Sequence, residues 1–219
     1  DLSSKDLSHS NIQEAVFDGA NLENTNLFDT KFVQVDFRNI KNKSFDGENI
    51  KFTSFLHSDL TGIDFHGEIY RTFFEAADLT GVDFSNQRIT SAYFFRANLE
   101  NANFENADIS YDIVTKKFEN QAHLGNLSMS ELNAELFGFP IPRLVSSQVD
   151  GNDLVVREVW YTLFGDANLK NANLKNANLQ GAYFASANLS GADLTNSDLT
   201  ASSMQGTNLT GANLENANL

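Results

Sequence analysis

A five-residue repeat near the end of the chain constrains the fold more than any other feature. From Asp166 to Leu219 the sequence runs DANLK NANLK NANLQ GAYFA SANLS and onward, placing a small residue, then Asn or Asp, then a central Leu or Phe, before two polar positions. A period of five fits neither an amphipathic helix nor an alternating strand. Because such a unit cannot bury its own apolar residue, it must stack on copies of itself, as solenoids do.

The pattern resembles the pentapeptide-repeat family. This resemblance implies an all-β fold, a right-handed quadrilateral parallel β-helix in which four pentapeptides form one square coil. It also implies that the central Leu or Phe points inward and that the small residue two places earlier fills a corner. The run of ANL units is similar to the cyanobacterial and chloroplast-lumen members, and less similar to the fluoroquinolone-resistance members.

The residues beside the central position agree with this geometry. A narrow interior would admit the small residue at the corner, as at Ala167, Ala172, Ala177, Ala182, Ala187 and Ala192. The second residue after the central one is often Gly or Asn, which tolerate the positive φ of a tight turn. These residues are Asn171, Asn176, Gly181, Gly191, Asn196, Gly206 and Gly211.

The repeat extends back to the first residues, with three extra residues after Phe37 and one residue lost between Tyr70 and Phe74. Arranged in fours, the central residues form four columns of similar side chains. One column reads Ile12, Phe32, Phe55, Phe74, Phe94, Phe164, Phe184 and Met204. Another reads Leu7, Leu27, Ile50, Tyr70, Ile89, Ile109, Leu179, Leu199 and Leu219. The columns predict about 8–9 coils and, at roughly 4.8 Å per coil, a length of about 40 Å.

The pattern is absent from 110–163. Since the columns match on both sides of this stretch, we expect one continuous β-helix over 1–219, interrupted by a loop insertion at 110–163. Within the insertion, a capping box at Ser128 predicts a short helix through Leu136. Asp150-Gly151, between two strand-like runs, predicts a hairpin.

Composition limits the partners. Asp and Glu outnumber Lys and Arg by 29 to 15, and the net charge of −14 disfavours direct binding to nucleic acid or an anionic membrane. No apolar run is long enough to span a bilayer. We expect a soluble protein, but the sequence does not separate periplasm or thylakoid lumen from cytoplasm. The chain begins at Asp1 and stops within a repeat, which suggests cropping at the ends or an end-to-end homodimer through exposed Leu214 and Leu219.

No motif indicates catalysis. The four histidines show no metal-ligand spacing, and there is no phosphate-binding loop, so we expect no cofactor or metal. The sequence therefore favours a non-enzymatic scaffold for protein–protein interaction. The alternative is a DNA mimic that binds or protects a type II topoisomerase, a role that the family resemblance implies. A carboxylate-based hydrolase is the least favoured hypothesis.

Seven residues are candidate contacts for a protein partner. The acidic ones are expected on neighbouring outer faces of adjoining coils, although three of them also fill the ordinary Asn/Asp position of the repeat. The two aromatic ones precede the return of the repeat, where the simpler interpretation is that they pack the insertion onto the coils. The candidates are Asp78, Asp83, Glu100, Glu105, Asp108, Trp160 and Tyr161.

One corner is chemically unusual. Glu48 and Glu68 both precede an assigned central residue by two places and each follows a glycine. Two inward carboxylates would repel, lose hydration and raise at least one pKa. We expect instead that this corner is open, with both carboxylates accessible to solvent and no metal bound.

Overall fold

The computed structural model describes residues 1–126 and 143–219. They form two compact units. The first, here called the coil unit, comprises Asp1–Ser110 and Thr162–Leu219, and the second, here called the insertion, is Tyr111–Tyr161. The predicted helix from Ser128 to Leu136 lies outside the described residues.

The coil unit is built from short parallel strands and single bridges between successive coils. Its strands pair as β1–β2–β4, β3–β5 and β6–β7. They are β1 Asn11–Gln13, β2 Lys31–Val33, β3 Ser44–Asp46, β4 Ser54–Leu56, β5 Asp64–His66, β6 Ile69–Tyr70 and β7 Ile89–Thr90, with a 3₁₀ helix at Gly47–Ile50.

The residue before each central residue bridges to its counterpart about 20 positions later, and these bridges define four outer ladders. The aromatic ladder is Asn11, Lys31, Ser54, Phe73, Tyr93, Leu163, Tyr183 and Ser203. The Asp78 ladder is Val16, Asp36, Asp59, Asp78, Asn98, Asn168, Asn188 and Asn208. The Asp83 ladder is Asp83, Asn103, Asn173, Asp193 and Asn213. The Asp108 ladder is Arg88, Asp108, Asn178, Asp198 and Asn218.

The central residues form the core, as predicted. Phe94 and Phe164 are fully buried, and their rings stack with centroids 5.0 Å apart. Phe164 stacks in turn on Phe184 at 4.9 Å. The coil that closes before the insertion is therefore in direct contact with the coil that follows it.

The corners also follow the sequence prediction. The six alanines at the small position are all at most 1% exposed. The Gly and Asn residues that follow the central position all have positive φ, for example Asn171 at 57° and Gly181 at 71°. The Ala172 N–H closes the turn on the Leu169 carbonyl at 3.0 Å.

Threonine at the small position is buried without leaving its hydroxyl unsatisfied. The Thr25 hydroxyl donates to the Leu2 carbonyl at 2.9 Å, and the Thr72 hydroxyl donates to the Ile50 carbonyl at 3.1 Å. Thr162 donates in the same way to the Ile89 carbonyl at 3.1 Å. Because a buried hydroxyl is costly only when unpaired, this position accepts Thr as well as Ala.

The assignment of Tyr70 as a central residue was wrong. Ile69 is fully buried and pairs with Ile89, whereas Tyr70 is half-buried and pairs with Thr90. The missing residue therefore lies between Phe65 and Ile69, where the small corner residue would stand. This shortened corner is tight, since a Cβ on Gly47 would lie 2.1 Å from the Glu68 carbonyl oxygen.

This shift also corrects the placement of Glu68 two places before a central residue. Glu68 directly precedes Ile69, so it takes the outer position and not the inward one. Its Oε1 accepts from the Thr90 hydroxyl at 3.2 Å and lies 3.6 Å from Nε of Arg88, with the side chain 35% exposed. The side chain of Glu48 lies outside the described part of the chain.

The insertion is an antiparallel three-stranded sheet in the order β8–β10–β9. Its strands are β8 Asp112–Phe118, β9 Arg143–Asp150 and β10 Asp153–Trp160, with a 3₁₀ helix at Ala122–Asn126. The predicted hairpin is confirmed, because Asp150 pairs with Asp153 across Gly151, whose φ is +62°. Strand β8 was not predicted.

Candidate functional site

The outer ladders of the coil unit carry the predicted acidic contact residues. Asp78 Oδ1 accepts from the Thr80 N–H at 3.1 Å and from Asn98 Nδ2 at 3.3 Å. Asp83 accepts from Asn103 Nδ2 at 3.0 Å. Each carboxylate thus bonds within its own turn and to an amide on the next coil.

The remaining acidic candidates also form hydrogen bonds or ion pairs with side chains on the next coil. Asp108 accepts from Asn178 Nδ2 at 3.0 Å, and Glu105 accepts from Asn173 Nδ2 at 3.2 Å. Glu100 lies 3.1 Å from Nζ of Lys170. Asp78, Asp83 and Asp108 belong to three different ladders, so the structure does not gather these carboxylates into one cluster.

One row of carboxylates does stack. Asp36, Asp59 and Asp78 occupy consecutive coils of the Asp78 ladder. Arg38 joins the first two, with Nη2 2.7 Å from Asp36 Oδ2 and Nε 3.1 Å from Asp59 Oδ2. The hydrogen bond from Arg38 lowers the pKa of Asp36 below its usual value.

The two aromatic candidates belong to the insertion. Trp160 Nε1 donates to Glu158 Oε2 at 2.8 Å, and the Tyr161 ring lies 6.1 Å from that of Tyr111. Glu158 is fully buried, and its Oε2 is 3.1 Å from Nζ of Lys116. Its other oxygen, Oε1, has no hydrogen-bond partner among the described residues.

Sequence reasoning missed an aromatic surface. In the aromatic ladder, Phe, Tyr and Leu replace the Asn or Asp of the other ladders; Phe73 is 36% exposed and Tyr183 is 41% exposed. The rings of Phe73 and Tyr93 lie 5.4 Å apart. Burial, reinforced by Glu75, raises the pKa of Tyr93 above its ordinary value. The substitution pattern at the position before the central residue was visible in the sequence and could have revealed this face.

A glycine brings one more ring, Phe95, into this face. A Cβ on Gly165 would lie 3.1 Å from Phe95 and 3.3 Å from Tyr183, so both rings pack where a side chain would otherwise stand. Arg96 lies over the Phe95 ring at 4.9 Å, and its Nε is 3.8 Å from Asp166 Oδ2. The result is a continuous apolar surface bordered by one opposite-charge pair.

Within 1–126 and 143–219, no group of three His, Asp or Glu side chains is arranged to hold a metal ion. No helix in the same part of the chain is long and apolar enough to cross a membrane.

Three solved structures illustrate the likeness to known proteins. A pentapeptide repeat protein from the Arabidopsis thaliana thylakoid lumen is 24% identical over 66% of each chain, with a TM-score of 0.42. HetL, involved in heterocyst differentiation regulation in Nostoc sp. strain PCC 7120, is 20% identical over 100% of this chain and 89% of its own, with a TM-score of 0.23. QnrB1, a plasmid-mediated fluoroquinolone resistance protein, is 16% identical over 92% and 90%, with a TM-score of 0.29.

The family assignment rests on the repeat itself. No curated protein matches the chain. The profile described as Pentapeptide repeats matches in 8 copies, over residues 6–41, 88–111, 163–200 and 196–219. These matches cover more than half of the sequence and coincide with the stacked coils of the structure. The chain belongs to the pentapeptide-repeat family.

Proposed function

We propose that this pentapeptide-repeat scaffold is non-enzymatic and binds another protein, with the insertion as its main contact element. The observation that carries the proposal is the placement of the insertion. It is a compact sheet with its own buried residues, Leu154 and Val156, and it interrupts the coil unit where Tyr93 already pairs with Leu163. A long ordered excursion from a rigid scaffold is a common location for binding residues.

The insertion point suggests a simple deletion. Ser110 follows the central Ile109, and Thr162 stands two places before the central Phe164. Replacing Tyr111–Tyr161 with a single glycine gives Ile-Ser-Gly-Thr-Leu-Phe, which restores the five-residue spacing. Glycine supplies the positive φ that the turn position requires.

This variant tests the function directly. The full chain and the glycine variant are used as bait, and a captured protein is then purified and titrated against both. We expect the variant to unfold cooperatively by circular dichroism and to bind at least about tenfold more weakly. Equal affinity of the two proteins would contradict the role of the insertion. A full chain that captures no specific partner would contradict the proposed function.

The acidic outer faces are the second proposed contact region. Glu100 and Glu105 are partly exposed, and Asp83 is exposed. A partner with Lys or Arg opposite these residues would associate faster at low salt. Glu100→Gln combined with Glu105→Gln should reduce that salt dependence without unfolding the coils, and Glu23→Gln, which is also exposed, serves as the control.

A second candidate function is a DNA mimic that binds a type II topoisomerase. The stacked carboxylates of Asp36, Asp59 and Asp78 favour it, since three carboxylates against one paired arginine, Arg38, leave a net negative row along the coil axis. An electrophoretic assay in which the protein competes with DNA for a topoisomerase tests it. Competition that is lost when all three are changed to Asn would support this function, and no competition would contradict it.

We also infer the finer architecture. The coil unit is a right-handed quadrilateral β-helix of about 8–9 coils, and 1–219 is a single continuous β-helix interrupted at 110–163. The match of columns across the insertion and the Phe94–Phe164 stack support this inference. A crystal structure of the full chain tests both the handedness and the number of coils.

A further inference from the structure

The four outer ladders differ in charge. The Asp78 ladder carries three carboxylates, and the Asp83 and Asp108 ladders carry two each. The aromatic ladder carries no Asp or Glu in its eight positions. In a chain of net charge −14, the aromatic ladder is therefore the one of these four ladders at which two copies bring no ladder carboxylates together.

We propose that the aromatic ladder is a self-association surface, with a second copy of this chain as its occupant. The two coil units run antiparallel, related by a two-fold axis that lies along the strand direction, midway between the paired residues Tyr93 and Leu163. This inference goes beyond the proposed function, because it concerns contact between identical chains and not a different protein.

Shape favours this arrangement. In this dimer, each coil of one copy lies opposite a coil of the second copy. In their own chains, these two coils are equally far from the level of the axis but on opposite sides of it. Phe73 then faces Tyr183 of the second copy, and Tyr93 faces Leu163 of the second copy. Gly165 is buried beneath Phe95 and Tyr183 of its own chain, so Phe95 faces the rings that cover Gly165 of the second copy. Aromatic rings therefore meet at the centre of the contact.

Charge favours it as well. Arg96 and Asp166 occupy the same corner position on consecutive coils, with positive φ of 58° and 55°. The same two-fold axis places Arg96 opposite Asp166 of the second copy, twice in each dimer. Glu75 faces Ala185 of the second copy. No carboxylate of this face therefore meets another carboxylate.

The outer contact residues are exposed, whereas Leu163 and Gly165 are buried. The side chains of Arg96 and Asp166 are 65% and 42% exposed, and Phe73 and Tyr183 are 36% and 41% exposed. All of them belong to the coil unit. One face of a single square coil is narrow, so the contact lies at the small end of specific interfaces and a Kd of about 10–100 μM is expected.

Sedimentation equilibrium of the full chain from about 10 μM to about 1 mM tests the proposal. The wild type should be in monomer–dimer equilibrium, and Tyr183→Asp should weaken the dimer at least tenfold. Val16→Asp is the matched control, because Val16 is 69% exposed on the Asp78 ladder and the change adds the same charge. A wild type that stays monomeric at about 1 mM would overturn the proposal, as would a dimer equally weakened by both variants or by neither.

Charge exchange between two copies gives a second, independent measurement. Arg96→Asp alone places Asp opposite Asp, and Asp166→Arg alone places Arg opposite Arg, so each should weaken its own dimer about tenfold. An equimolar mixture of the two variants should restore dimerisation, because every contact in the mixed dimer is again between opposite charges. The Arg96–Asp166 pair within one chain cannot produce this rescue. A mixture no stronger than its components would place the contact elsewhere, for example end to end at Leu219.

Discussion

The coil unit and the insertion provide hydrogen-bond partners for polar side chains in different ways. In the coil unit, Asn103 and Asn173 lie one coil apart on the surface, and Asn173 Nδ2 donates to Asn103 Oδ1 at 3.0 Å. In the insertion, Glu158 is fully buried on a strand and depends on Lys116 and Trp160. The ladder needs only a repeated sequence, because each coil supplies the partner for the next. The buried carboxylate needs two specific side chains from different strands.

This difference implies that the two units should respond to different substitutions. Trp160 is the single tryptophan, so its fluorescence reports on the insertion. Far-ultraviolet circular dichroism reports mainly on the larger coil unit. The following predictions use these two signals.

The largest effect is expected in the coil core. Phe164 is fully buried between Phe94 and Phe184, so Phe164→Ala should lower the free energy of unfolding by about 4 kcal/mol. Urea titration followed by circular dichroism measures it. Phe73→Ala is the control and should cost only about 1–2 kcal/mol, since Phe73 is 36% exposed. Equal costs would mean that the outer and inner positions are not distinct.

The insertion should be most sensitive to loss of the charge that faces Glu158. Lys116→Met leaves a buried carboxylate with only the Trp160 N–H, at a cost of about 3 kcal/mol. The tryptophan fluorescence midpoint should fall while the circular dichroism midpoint of the coils changes little. Changing both Lys116 and Glu158 to Met should recover most of the loss. The loss of free energy of unfolding in the double variant should be smaller than the summed losses of the single variants Lys116→Met and Glu158→Met. A loss equal to that sum would contradict this interpretation of the pair.

A smaller effect is expected from one amide of a ladder. Asn173→Ala removes the bonds to Asn103 and Glu105 and the acceptor of the Lys175 N–H, and should cost about 1 kcal/mol. Lys170→Ala removes only an exposed ion pair and should cost less than about 0.5 kcal/mol. Urea titration of both variants shows which change lowers the free energy of unfolding more. A larger loss for the lysine would show that surface charge, and not the amide ladder, stabilises this face.

The smallest effect concerns pH. Hydrogen bonds from Thr200 and then Gln180 lower the pKa of Asp198 from 3.8 to about 2. Because the folded-state pKa is depressed, the stabilisation is fully present above pH 3.8 and is lost as the pH falls toward 2. At pH 6 the melting temperature of the wild type should be slightly higher than that of Asp198→Asn. This difference in melting temperature should vanish near pH 2. A difference that is independent of pH would show that the charge of Asp198 does not contribute.

Much of the coil unit followed from the sequence alone. A strict period assigns every residue to an inner, outer or turn position, so buried Phe164, buried Ala172 and the positive φ of Asn171 could all be predicted. The prediction was wrong only where the period changes. Ile69 and Tyr70 are both plausible central residues. The choice depends on whether the small corner residue is missing before Ile69 or before Phe74.

The candidate site was predicted less completely. The acidic residues lie on outer faces as expected, but only the structure shows that four of them bond to an amide one coil away and that Glu100 pairs with Lys170. The aromatic face was also missed, because Phe73, Tyr93 and Tyr183 are far apart in sequence and become one surface only when the coils stack.

The sequence by itself determined the repeat, the inward residues and the turns, since these depend on neighbours at fixed separations along the chain. The tertiary structure decided the pairing of β8 with β10, the burial of Glu158 beside Lys116, and the position of the shortened corner. Those features depend on contacts between segments with no common period. Their free energy is set by which side chains meet in space, and a local pattern does not contain that information.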